Sequence, residues 1–342
     1  MKNEKCQIIA EMSANHCGDL EVAKRVIAAA KDCGADAVKV QTYTADTLTI
    51  DCRSECFKVS GGTLWDGSYL YDLYSGAGMP WEWQKPLKDF ADSLSIEFFS
   101  TPFDASSADF LESIGVPRFK IASFEAVDYP LLRHVARKGR PMIVSTGISS
   151  LGEICEAVDI CLSEGCPDLT LMKCTSAYPA KLEDMNLATV SDMLSRFGPL
   201  GVKVGLSDHS MGPEPAVAAV ALGCSAIEKH FTLDRSMPSA DSAFSLNPAE
   251  FAALVRSVRD AEKAMGAPGY AVNEGNRRFA RSLFVVCDMK AGDRFTPENV
   301  RSIRPSDGLH TRHYETVLCG FAACDIAAGT PLSAGLVGGV KL

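Results

Sequence analysis

No stretch of the chain approaches the ~20 consecutive apolar residues that a membrane-spanning helix requires, so no helical span is expected. The apolar run near the N-terminus is broken by Glu11 before it reaches the length of a signal segment. Positive charge is in deficit: 34 Lys and Arg against 43 Asp and Glu leave a net charge of −9, the wrong field for a nucleic-acid partner. Small anions are not excluded, because a few local lysines suffice for them. Cys-x-x-Cys pairs are missing as well. The thirteen cysteines are odd in number and scattered, which argues against a disulfide framework or a structural zinc site and suits a reduced, cytoplasmic compartment. No Gly-x-Gly-x-x-Gly turn follows the first apolar run, which weighs against an open doubly wound sheet.

What is present is a regular alternation of short apolar segments with longer amphipathic ones. The segments 7–11, 37–41, 97–100, 119–121, 142–145, 169–173, 202–206 and 226–230 read as strands. Between them lie helical patterns such as "LEVAKRVIAAAKDCG" (20–34), whose apolar positions recur at three and four and which a glycine closes. Eight strand–helix units fit a (β/α)8 TIM barrel, here assigned to residues 1–268. The stretch "GAPGYAVNEGN" (266–276), rich in Gly, Pro and Asn, marks a linker assigned to 269–282, which precedes a small β-rich domain at 283–342. That last stretch contains an internal echo: "MKAGDRFTPENV" (289–300) and "IAAGTPLSAGLV" (326–337) align Gly292 with Gly329, Phe295 with Leu332 and Val300 with Val337, which predicts pseudo-symmetry.

In a barrel the reacting site lies at the C-terminal ends of the strands, so the polar residues there are read together. They are Glu11, Lys39, Gln41, Thr101, Lys120, Ser123, Glu125, Ser145, Ser176, Tyr178, Ser207, His209, Glu228 and His230. Fixed positive charge with short hydroxyl donors on several strand ends suits a phosphate or carboxylate. His209 and His230 end adjacent strands, each shortly after an acidic residue, and so are placed to converge on one metal ion. Two histidines without cysteine leave a structural zinc shell incomplete. Such a site suits an exchangeable Mn²⁺, Mg²⁺ or Co²⁺, with water and substrate oxygen filling the other positions. The bland alternative is that each imidazole merely hydrogen-bonds within the rim.

The motifs "AEMSANHCGD" (10–19), "GADAVKVQT" (34–42), "FFSTPFD" (98–104), "FKIASFE" (119–125), "STGISS" (145–150), "CTSAYPA" (174–180), "GLSDHS" (205–210), "IEKHFT" (227–232) and "IRPSDGL" (303–309) together resemble the sialic acid synthase family. Its members condense phosphoenolpyruvate with an amino sugar. The resemblance implies a TIM barrel followed by an antifreeze-like (SAF) domain, and a domain-swapped homodimer in which Arg304 reaches the neighbouring site to contact the sugar. It further implies that Lys120, Ser123, Ser145 and Ser207 hold the phosphate, and that Lys39 and Thr101 hold the carboxylate. Glu228 would handle the proton of the attacking water or orient His230. Glu11 and Asp241 would bond sugar hydroxyl or amide groups, with Gln41, Glu125, Ser176 and Tyr178 completing the sugar subsite. Within the family, "SGGTLWDGSYLYDLY" (60–74) and Ser176 in "TSAYPA" resemble the pseudaminic acid synthase branch, the alternatives being N-acetylneuraminate or legionaminic acid synthesis. Cys17 departs from the family's usual "NHNG". The long connection 42–80 suggests a lid. Two readings outside the family are a metal-dependent barrel aldolase or epimerase, which would release no phosphate, and a non-catalytic sugar-binding module.

Overall fold

The computed structural model describes residues 5–60 and 65–342. Eight parallel strands close into a barrel in sequence order: β1 Gln7–Glu11, β2 Ala37–Thr42, β3 Glu97–Pro102, β4 Phe119–Ile121, β5 Met142–Ser145, β6 Leu169–Cys174, β7 Lys203–Asp208 and β8 Ala226–His230, with β8 pairing back onto β1. The TIM barrel expected from the alternating pattern is therefore the architecture found. Four strands match the expected segments to the residue; the others run one or two residues further, into polar sequence, and β7 starts one residue later.

Side chains alternate between the two faces of a strand. A lower interior layer is apolar, made by Ile9, Ala37, Phe99, Ile143, Met172 and Ala226. Two residues further along the same strands the inward positions become Glu11, Lys39, Thr101, Ser145, Cys174 and Glu228, so the barrel is plugged below and polar above. The outward positions pack on the helices in one large core that includes Ile8, Val38, Phe98 and Ile227.

Helix starts are fixed by short polar side chains. Asp19 accepts hydrogen bonds from the Glu21 and Val22 amides at the head of Leu20–Asp32, and Ser150 and Asn247 form capping boxes with Glu153 and Glu250. The connection after β2 is not structureless, since it carries the helices Ala45–Leu48 and Leu70–Ala77. Of the quoted stretch 60–74, residues 61–64 lie outside the described residues. No helix among the described residues is long and apolar enough to cross a membrane.

The chain divides into two compact units, 1–266 and 267–342. The stretch 269–282 thus groups with the second unit, where it carries the short helix Glu274–Arg277. In that unit β9 (Ser282–Val285) pairs antiparallel with β10 (Val300–Ile303), and β11 (Phe321–Ala322) with β12 (Val337–Gly338). The sequence echo is a structural one. Gly292 and Gly329 both sit at positive φ, 90° and 85°, and Phe295, Leu332, Val300 and Val337 are all buried. Met289 and its counterpart Ile326 exchange reciprocal hydrogen bonds of 2.8 and 2.9 Å. The pair Val285 N–H to Thr330 O and Gly329 N–H to Val285 O is repeated by Ala322 N–H to Asp293 O and Gly292 N–H to Ala322 O. A residue that pairs with its own repeat lies on a local two-fold axis.

Candidate active site

A cavity of about 380 Å³ opens at the C-terminal ends of the strands, a size suited to one or two small substrates. Its floor is a buried charge network. Lys39 Nζ lies 2.9 Å from Glu11 Oε2 and 3.5 Å from Glu228 Oε1, and donates to Thr101 Oγ1 at 3.1 Å. Lys120 Nζ is 3.2 Å from Glu228 Oε2. Two ammonium groups and two carboxyls share a volume closed to bulk water, so each group's charge depends on its neighbours. Burial drags Lys39 down, but Glu11 and Glu228 outweigh it and hold the ammonium above its ordinary range. For Lys120 burial wins and the value is lowered. Burial lifts Glu11 against the pull of Lys39, whereas at Glu228 the two lysines overcome burial and hold it low. The two carboxyls are thereby driven apart in proton affinity, a pattern found where acid and base roles are divided.

Above the floor sit short donors. The Ser145 and Ser207 hydroxyls are 2.8 Å apart, and Ser123 Oγ accepts from the Gly147 amide at 3.0 Å. Gly147 is required here, because a Cβ would come within 2.1 Å of Ser176 Oγ and 2.8 Å of Ser123 Oγ. Gln41 donates to Glu11 Oε1 and Ser13 Oγ, each at 3.0 Å, and Asp241 Oδ2 accepts from the Ala14 amide at 3.4 Å. Glu125 points a buried Oε2 with no hydrogen-bond partner among the described residues, and burial pushes its carboxyl up to about 7.

His209 and His230 flank the same cavity with ring centroids 5.4 Å apart. His209 Nδ1 donates to the Thr175 carbonyl at 2.9 Å, so Nε2 is the nitrogen that is bare when the ring is neutral; against burial, Cys174 and the Thr175 carbonyl raise the ring's proton affinity above its ordinary value, so a cation bound at Nε2 would displace a proton. His230 Nδ1 is buried without a hydrogen-bond partner and lies 3.9 Å from Asp241 Oδ2. Burial, then the neighbouring His209 and lysines, keeps the His230 ring well below its ordinary value and hence neutral. A bare nitrogen on one ring and an unpartnered buried nitrogen on the other fit a divalent cation. Among the described residues no cluster of three or more His, Cys, Asp or Glu has metal-holding geometry, so the remaining ligands would be water and substrate oxygen. The hydrogen bond and ion pairs of Glu228 go to Lys120 and Lys39 rather than to His230.

The roof is of a different kind. The connection 42–80 contributes Leu48, Val59, Trp65, Leu70 and Leu73 to the cavity lining, together with Tyr43 and Tyr74. Opposite them Tyr178 packs on His209 with centroids 4.3 Å apart and on Phe244 at 5.2 Å.

Of the sequence-derived residues, Glu11, Lys39, Gln41, Lys120, Ser123, Glu125, Ser145, Tyr178, Ser207, His209, Glu228, His230 and Asp241 line this one cavity. Thr101 and Ser176 stand just behind it, on Lys39 and Gly147. Arg304 is exposed just after β10, in the second unit. Sequence reasoning missed Ser13, Cys174 and the apolar roof. Cys174 was readable as the inward position two beyond Met172. The roof carries no periodic signal that would show which way it folds.

Residues 26–270 match the NeuB family and residues 280–337 the SAF domain. The chain is 46% identical to a pseudaminic acid synthase of Campylobacter jejuni across 97% of both chains, and 42% identical to one of Helicobacter pylori across 96% of both. An N-acetylneuraminic acid synthetase structure from Leptospira borgpetersenii superposes with a TM-score of 0.71 at 32% identity, covering 80% of this chain and 90% of that one.

Proposed function

This chain belongs to the NeuB family, and from that premise we propose that it condenses phosphoenolpyruvate with 2,4-diacetamido-2,4,6-trideoxy-L-altrose to give pseudaminic acid and inorganic phosphate. The observation that carries the choice of acceptor is the division of the cavity into a charged floor and an apolar roof. This sugar bears three methyl groups, one on C6 and one on each acetamido arm, and no C6 hydroxyl. A hydroxyl set on such an apolar lining without a polar partner is unfavourable, which favours the trideoxy sugar over N-acetylmannosamine.

In this reading Lys120, Ser123, Ser145 and Ser207 bind the phosphate and Lys39 and Thr101 the carboxylate, leaving C3 of the enol directed at the sugar aldehyde. His209 and His230 would hold a divalent cation, Mn²⁺ being our choice over Mg²⁺ or Co²⁺; when bound it supplies Lewis-acid polarisation of the aldehyde. C3 bonds to the aldehyde carbon, water adds at C2, and the C2–O bond breaks with its electron pair leaving on phosphate as C2 becomes a ketone; of the two water protons, one ends on the former aldehyde oxygen and one on the phosphate. Glu228 takes the proton of that water. Glu11, Gln41, Asp241, Glu125, Ser176 and Tyr178 orient the sugar. Following the family resemblance, the reading also includes a domain-swapped homodimer with Arg304 entering the partner's site, and a cytoplasmic location that thirteen free cysteines suit.

The test is phosphate release with phosphoenolpyruvate and Mn²⁺, offering the diacetamido-altrose or N-acetylmannosamine separately. Release with the former alone is expected; release with N-acetylmannosamine alone would refute the acceptor. With phosphoenolpyruvate labelled by ¹⁸O at the bridging oxygen, the label should leave in phosphate.

A further inference from the structure

Immediately beside the two histidines lies a second buried network that faces away from the cavity. Asp208 and Lys229 are register partners on β7 and β8, at the outward positions next to His209 and His230. Both are 1% exposed. Lys229 Nζ lies 2.8 Å from Asp208 Oδ2, and donates to the Ser210 carbonyl, to Ser210 Oγ at 3.2 Å and to the Gly212 carbonyl at 3.3 Å. Asp208 Oδ1 in turn accepts from the Ser210 amide at 2.9 Å and from Ser210 Oγ at 2.6 Å. The ammonium, the carboxylate and the hydroxyl thus close a loop around the turn 208–212.

Stability alone does not account for this arrangement. Taking an ion pair out of water costs about as much as its attraction returns, and well-packed apolar residues of similar volume do as well or better. What charge adds is direction. His209 is the residue after Asp208, and His230 is the residue after Lys229. The backbone of His209 is held on its other side by Ala180, whose amide donates to the His209 carbonyl at 3.0 Å. The ring orientation is fixed by Thr175 as described above. On the other strand the His230 carbonyl accepts from the Leu246 amide at 2.9 Å. Backbone pairing of β7 with β8 ends at Asp208 and Lys229, and their side chains add the tie between the two strand ends at the step before the imidazoles.

We infer that Asp208, Ser210 and Lys229 form a clamp that sets the separation of the His209 and His230 imidazoles, and with it the affinity of the site for a divalent cation. The three are positioning residues, since none touches the cavity. The inference rests on the reading that the two histidines hold a cation.

The experiment titrates Mn²⁺ alone into the full-length chain by calorimetry, with folding followed by circular dichroism. The wild-type chain is compared with Ser210→Ala and with the double variant Asp208→Leu/Lys229→Met, which leaves no uncompensated buried charge. The double variant is expected to keep a native spectrum and melting temperature yet bind Mn²⁺ ~10- to 100-fold more weakly, the scale seen when groups behind metal ligands are lost. Ser210→Ala should weaken binding ~3-fold or more with an unchanged KM for phosphoenolpyruvate. A folded double variant with wild-type Mn²⁺ affinity overturns the clamp. Should the double variant not fold, Ser210→Ala decides alone, and unchanged affinity there also overturns it. A wild-type chain that binds no Mn²⁺ instead overturns the metal reading beneath it.

Discussion

Lys120 is fully buried and has an acidic partner, Glu228, so an arriving phosphate must compete with a carboxylate already in place. Replacing Lys120 by Ala removes a charge-assisted bond of about 1.5–3 kcal/mol. The KM for phosphoenolpyruvate should then rise ~10- to 100-fold in initial-rate measurements, and an unchanged KM would take this lysine out of the anion subsite. Glu125 gives a pH signature. Its carboxyl is raised from 4.5 to about 7 by burial first, then by Asp128, against its own amide and the more distant Lys120 and Lys39. A raised folded-state value means that the stability tied to the neutral carboxyl is complete below about 4.5 and is lost as the pH climbs through about 7. Glu125→Gln keeps the neutral shape, so urea unfolding should show a variant more stable than wild type at pH 8 and equal to it near pH 4. A gain of the same size at both would mean that the carboxyl does not titrate there. Single residues at strand ends were legible because the barrel confines chemistry to one rim. Asp208 and Lys229 were not, because a polar residue in a strand gives no sign of which face it takes until the register is known.

At the scale of elements, the short apolar runs located all eight strands but not where β2, β3, β6 and β7 stop. β7 continues through Ser207 and Asp208, whose neighbours Glu228 and Lys229 are polar too. Hydrophobicity falls at the top of a barrel because the function lies there, so the criterion that finds a strand fails at the end that matters most. The connection 42–80 was expected as a lid, but that it turns leucine and valine toward the cavity follows only from the fold. Leu73→Asn places a polar group on that apolar surface and removes about half a leucine side chain's burial, about 1 kcal/mol or more. The KM for the diacetamido sugar should increase ~10-fold while that for phosphoenolpyruvate stays within ~2-fold. Equal increases in both would show that the substitution disturbs the floor as well.

For the whole molecule, the change in composition across the linker 269–282 announced a second unit, although the edge of that unit lies at 267, ahead of the linker. Assembly was not legible from residues, since Arg304 is one exposed arginine among several and only the family resemblance singles it out. The proposed exchange between subunits makes a strict prediction. Chains carrying His209→Ala and chains carrying Arg304→Ala should each be nearly inactive alone. When the two are unfolded together and refolded as a mixture, turnover should return, because a mixed dimer pairs one intact histidine site with the other chain's arginine. If Arg304 served its own subunit, no mixed dimer would contain a complete site and the mixture would stay silent.

The reciprocal bonds between Met289 and Ile326 join the two halves of the second unit to each other. Two stretches offset by thirty-seven positions make the same bonds to each other in both directions, as identical copies meeting head to head would. Each half therefore completes its backbone pairing on the other, and because both lie on one chain that pairing is independent of protein concentration.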